Sequence, residues 1–248
     1  IWVRNFFHPN TLREAIQFSG ICKKKGYEFF FACFLGILHH QRPGFLSYPS
    51  SHLIPYLRNK KFPPNTYPEM YEYRDLRSRL LAKIKRAYRR YSFLDNKLRW
   101  EFRQTNVKDL VLPKRFDCLI TSPPYMNMLD YGRDNRLRLW FIDPNMDKDV
   151  DNPVTKVKSA FQIAMKGLAS KVDKNLKKNG HCILIIGERL GNQGQTLLSK
   201  SICEIFEQNA KTLEIQEIIR DEIPDIRRAR RDCRGTKSEH ILVFKKNA

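Results

Sequence analysis

An uninterrupted apolar run, Cys182-Ile183-Leu184-Ile185-Ile186, constrains the fold of this chain more than any other feature. A strand this apolar is typical of a sheet that is covered on both faces. Beyond residue 100, strand patterns alternate with helical ones: 116–121 (strand), 154–176 (helix), 181–187 (strand), 196–209 (helix), 213–220 and 240–245 (strands). We therefore predict an α/β fold with a mainly parallel sheet and helices on both faces.

The first hundred residues follow a different pattern. Helical patterns cover 13–21 and 28–39, and Thr11 and Glu14 have the spacing of a capping box at the start of the first. A connector follows whose prolines are too dense for a long helix, and then one long helical pattern over 69–100. We predict a helical, proline-rich and basic region at 1–99 and an α/β half-domain at 100–248.

The charge of the chain limits its partners. Lysine and arginine number 46 and aspartate and glutamate 26, which gives a net charge of +20. A clustered surplus of this size favours polyanions such as DNA, RNA or an acidic membrane face. No stretch has the ~18 to 20 consecutive apolar residues of a membrane span, so no membrane insertion is expected.

The six cysteines indicate the compartment. None forms a C-x-x-C pair, so a zinc ribbon is not expected. Cys118 and Cys182 lie within apolar runs, where cysteine behaves as a small hydrophobic residue. We expect reduced core thiols and a cytoplasmic protein.

The strand pattern at 116–121 runs directly into Ser122-Pro123-Pro124-Tyr125. Ligands of open α/β sheets bind beyond the carboxyl ends of strands. The two prolines lack N–H groups and have fixed φ, so this backbone is stiff. The Ser122 hydroxyl and the Pro123 carbonyl offer two acceptors, which suit an NH₂ group, and Tyr125 offers a face for stacking. The segment fits an amino-bearing ring such as a flipped cytosine or adenine; a proline-rich turn with Tyr125 packed on the surface is the structural alternative.

The segment from Thr121 to Tyr125, Thr-Ser-Pro-Pro-Tyr, resembles the catalytic signature of S-adenosylmethionine-dependent DNA amino-methyltransferases. In that family Ser-Pro-Pro-Tyr is typical of cytosine-N4 enzymes and Asp-Pro-Pro-Tyr is commoner in adenine-N6 enzymes. The resemblance covers most of the chain and is strongest over 116–140. It implies a Rossmann-like methyltransferase sheet, S-adenosylmethionine as cofactor, base flipping and a role in restriction-modification. The catalytic residues that it implies are Ser122, Pro123, Pro124 and Tyr125.

One part of that family's pattern is missing. Its members bind the cofactor with a Phe-x-Gly-x-Gly turn after the first strand, whereas here Phe18-Ser19-Gly20-Ile21-Cys22 has cysteine at the second glycine and lies in a helical pattern. We expect the sheet to be completed by a missing N-terminal segment or by a partner chain that carries this motif; an inactive, degenerate relative is the alternative. In that family the loop after the strand that precedes the catalytic strand touches the adenosine part of the cofactor. With a strand pattern at 100–106, the resemblance therefore implies Asn106 as a candidate cofactor contact, and Thr121 is a second.

Two arginine clusters are candidate DNA contacts, because the guanidinium group suits phosphate. One closes the helical pattern over 69–100 and the other precedes the last strand: Arg86, Arg89, Arg90, Arg227, Arg228, Arg230 and Arg231. The region 1–99 would then contact DNA or recognise the target. The alternative is that both arginine clusters are solvated charged faces. No histidine cluster with acidic partners has metal-ligand spacing, so no metal is expected.

We expect a site-specific DNA methyltransferase, as a subunit or fragment, that methylates the exocyclic amino group of a flipped base, cytosine N4 rather than adenine N6. Two other functions fit the same residues. One is a non-catalytic nucleic-acid-binding or specificity subunit, and the other is an RNA amino-methyltransferase.

Overall fold

The computed structural model describes residues 2–39, 45–48, 59–60, 62–89, 97–124, 131–145, 157–188, 197–224 and 238–247. The chain divides into two units, Ile1–Trp100 with Tyr131–Val150 and Glu101–Asp130 with Asp151–Ala248. The described elements of the first unit are helical, and the second contains the sheet. The predicted α/β fold class is confirmed, and residues 131–145 pack within the helical unit although they follow the Ser-Pro-Pro-Tyr segment in the chain.

The first unit is built on a helical core. Its helices are α1 (Pro9–Lys25), α2 (Glu28–Leu35), α3 (Leu76–Arg89) and α4 (Tyr131–Ile142), with 3-10 helices at Trp2–Phe6 and Pro68–Tyr71. Phe34 and Phe141 meet edge to face with ring centroids 5.0 Å apart, and Leu80 is buried in the same cluster. The helix predicted over 69–100 is shorter, because Asp75 caps its start by accepting from the Ser78 N–H at 2.7 Å.

The capping box predicted at Thr11 and Glu14 is wrong. His8 caps α1 instead. The Thr11 hydroxyl donates to the carbonyl of Arg74 at 2.9 Å and accepts from its N–H at 3.0 Å. The Glu14 carboxylate accepts from the Leu76 N–H at 3.0 Å. Both side chains therefore fix the start of α3 against α1, a contact between helices that local spacing does not reveal.

The second unit has a mixed sheet. Its elements are β1 (Phe116–Thr121), α5 (Lys158–Asn175), β2 (Leu176–Glu188), α6 (Leu198–Asn209), β3 (Leu213–Glu222) and β4 (Ser238–Lys246). The strand order is β1-β2-β4-β3; β1 and β2 are parallel, and β4 is antiparallel to both of its neighbours. The prediction of a mainly parallel sheet is wrong, because β3 and β4 are consecutive strands that pair antiparallel and need no crossover helix.

Both helices of this unit cover the same face of the sheet. Cys182, Leu184 and Ile186 are buried in one core with α5 and α6, while Ile183 and Ile185 between them are only half-buried. The apolar run of β2 is therefore continuous in sequence but alternates in burial. Helices on both faces were predicted, and within the described part of this unit they lie on one. None of the helices in the described ranges is both long and apolar enough to cross a membrane.

The strand predicted at 100–106 is wrong. Residues 101–115 form turns and irregular backbone, and Trp100 and Phe102 are 70% and 86% exposed. The alternation of apolar residues there does not correspond to a buried face, and without burial it gives no reason for a strand to pair. The turn at 107–109 is instead attached to α5, because the Lys171 ammonium donates to the carbonyls of Val107 at 3.0 Å and Lys108 at 2.5 Å.

The two cysteines predicted as core thiols differ. Cys182 is fully buried, and burial, followed by the neighbouring Cys118, raises its pKa to about 12. Cys118 is exposed, contrary to the prediction, because it lies on the face of edge strand β1 that α5 and α6 do not cover, whereas Leu119 next to it packs on the core. Ile120, two residues along the same strand, is 67% exposed. This edge and the face beside it are thus accessible apolar surface.

This difference predicts selective thiol labelling. In a Cys233→Ser background, a small alkylating reagent near pH 8 is expected to label Cys118 in the native protein. The other described thiols, Cys22, Cys33, Cys182 and Cys203, are buried and should react only after unfolding. Mass spectrometry of peptides before and after denaturation measures this. Fast native labelling of Cys182 would contradict the arrangement of β1 and β2.

Candidate functional site

The Ser-Pro-Pro segment lies beyond the carboxyl end of β1, the position at which ligands bind in open α/β sheets. Thr121 is the last residue of β1 and pairs with Leu184 of β2. Ser122 after it is exposed, Pro123 is buried and Pro124 is half-buried. Because neither proline has an N–H group to donate, the ladder between β1 and β2 ends here.

This local structure presents one hydroxyl on a fixed support. The buried Pro123 anchors the backbone, and its ring removes most of the freedom in φ. Ser122, one residue earlier, stays accessible. A hydroxyl held in this way can bind a polar group of a ligand with little further loss of conformational entropy. Chemically, the segment can position a group; no described residue in it is a nucleophile of the cysteine or lysine type.

Strand β2 continues past the end of β1 and finishes in a buried acid. Its residues 185–188 pair with β4 alone among the described strands. The Glu188 carboxylate, with 4% of the residue exposed, accepts from the N–H groups of Leu198 at 3.2 Å and Ser199 at 2.5 Å. These are the first residues of α6, so a negative charge lies at the positive end of a helix.

A buried histidine completes this group. His240 Nδ1 lies 2.9 Å from the Ser199 hydroxyl and 3.9 Å from a Glu188 carboxylate oxygen. We did not identify Glu188 from the sequence. A signal was available, because Glu188 follows an apolar run closely, and an acidic residue buried at such a position needs hydrogen-bond partners. Glu188, Ser199 and His240 fix α6 to the same edge of the sheet at which Ser122 lies. Their hydrogen bonds are structural, since the carboxylate is occupied by the helix.

The structure does not bring Asn106 to this edge. Its side chain accepts from the Lys108 N–H at 3.2 Å, in the turn that Lys171 attaches to α5. Lys171 lies near the carboxyl end of α5, and this helix leads into β2 at Leu176, beside the first residue of β1. Asn106 is therefore near the amino ends of the two strands, whereas Ser122 follows a carboxyl end. The described residues do not assemble a cofactor site around Asn106 and Thr121.

The predicted DNA contacts are described in part. Arg86 and Arg89 lie on α3, in the first unit, and are exposed. Tyr125, Arg90, Arg227, Arg228, Arg230 and Arg231 lie outside the described residues. Within the ranges that the structure describes, no three His, Cys, Asp or Glu side chains are grouped as metal ligands.

Comparison with known proteins gives distant likenesses among solved structures. No protein-family model and no curated protein matches the chain. Two crystal structures of TTHA0409 from Thermus thermophilus, assigned as a DNA modification methylase, are similar to it at 14% and 13% identity. They cover 58% of this chain and 51% and 52% of theirs, with TM-scores of 0.35 and 0.34. The chain thus spans about half the length of that protein.

Proposed function

We propose that this chain is the base-binding part of a DNA methyltransferase that methylates the exocyclic amino group of cytosine, at N4. The observation that carries the proposal is the position of the Ser-Pro-Pro segment. It lies beyond the carboxyl end of edge strand β1, with Ser122 exposed and Pro123 buried. This is where an α/β sheet binds its ligands, and the segment offers acceptors for an amino group.

Each residue of the segment has a role in this proposal. Ser122 and the Pro123 carbonyl accept the hydrogens of the amino group and fix the direction of its nitrogen. Pro124 keeps the backbone stiff, and Tyr125 stacks on the flipped base. The amino nitrogen would take the methyl group from a sulfonium donor, whose C–S bond breaks to leave a neutral thioether, and would release one proton to water. Positioning of that nitrogen is the main contribution of this chain. A serine rather than an aspartate at position 122 favours cytosine over adenine N6, on the family resemblance.

The proposed methyl donor is S-adenosylmethionine, and we infer that its binding site lies largely on polypeptide outside this chain. No strand in the sequence is followed by a Phe-x-Gly-x-Gly turn. Two observations support this inference: β1 is at one edge among the described strands, and Cys118 and Ile120 on its uncovered face are exposed, Ile120 to 67%. An apolar strand edge pairs readily with a further strand, so a segment that carries the cofactor turn would extend the sheet next to Ser122.

DNA as the substrate is supported by charge. The net charge of +20 and the basic helix α3 suit a polyanion, and phosphate contacts dominate the affinity of most DNA-binding proteins. The second candidate function is a nucleic-acid-binding subunit without catalysis. The missing glycine turn favours it, because the described residues then supply binding but no donor site.

Methyl incorporation tests these functions directly. The chain, with and without the co-expressed product of the neighbouring upstream reading frame, is incubated with methyl-labelled S-adenosylmethionine and either DNA or RNA. We expect label in DNA, as N4-methylcytosine after digestion and mass spectrometry, and only when the cofactor-binding part is present.

Three other results would each overturn part of the proposal. Label in adenine alone would exclude cytosine as the target base. Label in RNA alone would exclude DNA as the substrate. Tight DNA binding without any label, in a complex that demonstrably binds S-adenosylmethionine, would assign the chain as a binding subunit.

A further inference from the structure

Helix α3 has an unusual excess of positive charge. It contains six cations and no acidic residue: Arg77, Arg79, Lys83, Lys85, Arg86 and Arg89. Asp75, just before the helix, is occupied by the N–H groups of Arg77 at 3.3 Å and Ser78 at 2.7 Å. The carboxylate that lies nearest along the chain thus caps the helix, and the side chains on its later turns have no acidic neighbour within α3.

Part of this helix borders an open cavity of about 320 Å³ lined by Ser78, Arg79, Ala82 and Arg86. Ser78 and Arg79 are adjacent, and Ala82 and Arg86 follow Arg79 after three and seven positions, on successive turns of one helix face. Ala82 has the smallest side chain of the group and lies between the two arginines along the helix. The cavity therefore has two guanidinium groups and one hydroxyl around a small central residue.

Arg79, one of the residues that line this cavity, has unused hydrogen-bonding capacity. One of its terminal nitrogens donates to the carbonyl of Asp75 at 3.1 Å. Its Nε is buried and has no hydrogen-bond partner among the described residues. A buried donor without a partner is costly, and a guanidinium group satisfies such donors best with the oxygens of a carboxylate or phosphate.

The surroundings add to the local positive charge. The Arg74 guanidinium donates to the carbonyls of Phe45 at 3.0 Å and Ser47 at 2.7 Å, and the carboxylate of Glu72 offsets its positive charge only in part. Burial, and then the charge of Arg79, lowers the pKa of Arg74. An anion bound beside Arg79 would reduce the repulsion between these two cations.

We propose that the cavity lined by Ser78, Arg79, Ala82 and Arg86 binds a single phosphate group of a nucleic-acid backbone. Arg79 and Arg86 contact the phosphate oxygens from two successive regions of the helix, and Ser78 donates its hydroxyl. The polynucleotide as source of the phosphate rests on the proposed function; the anion site itself rests on the geometry of α3. Arg79 and Arg86 are then the residue pair through which the first unit binds the nucleic-acid backbone.

The test is the salt dependence of DNA binding by the full chain. Affinity for a short fluorescent duplex is measured over a series of NaCl concentrations for wild type, Arg79→Gln, Arg86→Gln and the double variant. Each contacted phosphate contributes about 0.9 to the slope of log K against log salt. We expect each single variant to lose roughly 1 from this slope. The double variant should lose the same amount, because loss of either arginine already releases the one phosphate that the pair holds together.

Arg77→Gln is the matched control, since Arg77 is exposed on the same helix and does not line the cavity. Its slope should change by much less than that of Arg79→Gln. Arg79→Lys keeps the charge, so it should keep the slope while the affinity falls, and circular dichroism confirms folding of every variant. Equal losses of slope for Arg77→Gln and Arg79→Gln, or a loss of roughly 2 from the slope of the double variant, would contradict a single site. Either result would indicate a diffuse basic surface instead.

Competitors identify the source of the anion. Inorganic phosphate and a glutamate oligomer are titrated against the duplex on wild type and Arg79→Gln. Suppose that inorganic phosphate displaces the duplex from wild type at much lower concentrations than from Arg79→Gln, while the salt slope of duplex binding is the same in both. The site would then bind a free anion, and the assignment to a polynucleotide phosphate would be wrong. Stronger competition by the glutamate oligomer would assign an acidic protein. If wild type methylates DNA but Arg79→Gln keeps the wild-type salt slope, only the phosphate site is disproved. If Arg79→Gln changes the salt slope but wild type does not methylate DNA, only the proposed enzyme activity is disproved.

Discussion

Ser122→Ala is expected to lower methyl transfer to DNA about 10²- to 10³-fold and to leave DNA affinity within about twofold of wild type. The substitution removes one acceptor from the amino group of the bound base, so its nitrogen is no longer held in one direction. DNA affinity changes little, because phosphate contacts rather than one base contact dominate it. Single-turnover transfer with saturating DNA, in the cofactor-competent assembly, separates these two effects.

Ser170→Ala is the matched control for this prediction. Ser170 is an exposed serine on α5, a helix residue outside the Ser-Pro-Pro segment, and its loss should leave transfer unchanged. Ser122→Asp keeps an acceptor at the same position and should retain more transfer than Ser122→Ala. Pro123→Ala restores an N–H group and backbone freedom, so it should also abolish most transfer. Full activity in Ser122→Ala would show that the segment does not orient the base.

The strands of the second unit could be predicted where an apolar run or a strand-ending proline lies within the segment itself. β1 ends at Thr121 as predicted, because two prolines that cannot extend a ladder come directly after Ser122. β2 contains the whole predicted apolar run but begins earlier, at Leu176, where the sequence indicated the end of a helix. Asn179 has a φ of 60°, and a positive φ at asparagine is compatible with a kinked strand as well as with the end of a helix.

Partners distant in the sequence decide the features that were predicted wrongly. The insertion of β4 between β2 and β3 depends on which strands pair, and the periodicity of a single strand contains no such information. The exposure of Cys118 follows from its place on the uncovered face of β1, which lies at one edge among the described strands. The apolar alternation that includes Trp100 and Phe102 has the period of a strand, but no neighbouring strand pairs with it among the described residues. The sequence pattern therefore predicted where the elements lie better than it predicted their pairing and burial.

The candidate site shows the same division. The Ser-Pro-Pro segment could be found from sequence because its chemistry is contained in consecutive residues. Glu188 could not, because its role depends on α6, whose first N–H groups lie 10 and 11 residues further along the chain. Asn106 was assigned through a strand that does not form, and so its position near the wrong end of the sheet follows from that one error.

Glu188→Ala is expected to destabilise the second unit by about 3 kcal/mol. It removes both oxygens that accept from the start of α6 and leaves buried N–H groups unpaired beside His240. Glu188→Gln keeps one carbonyl oxygen but loses the negative charge at the helix end, so we expect a smaller loss, on the order of 1 to 2 kcal/mol. Urea unfolding followed by circular dichroism gives both values from the midpoint, provided that the m-value is unchanged.

Glu207→Ala is the control, because Glu207 is an exposed glutamate on α6 and its removal should cost less than about 0.5 kcal/mol. A loss for Glu188→Ala that is no larger than this control would mean that the carboxylate does not hold α6. The measurement also bears on the site. α6 and the Ser-Pro-Pro segment lie at the same edge of the sheet, so opening of this helix should expose that edge. We therefore expect Glu188→Ala to lose methyl transfer on warming at a lower temperature than wild type, with normal transfer when cold, whereas Ser122→Ala should be deficient at every temperature.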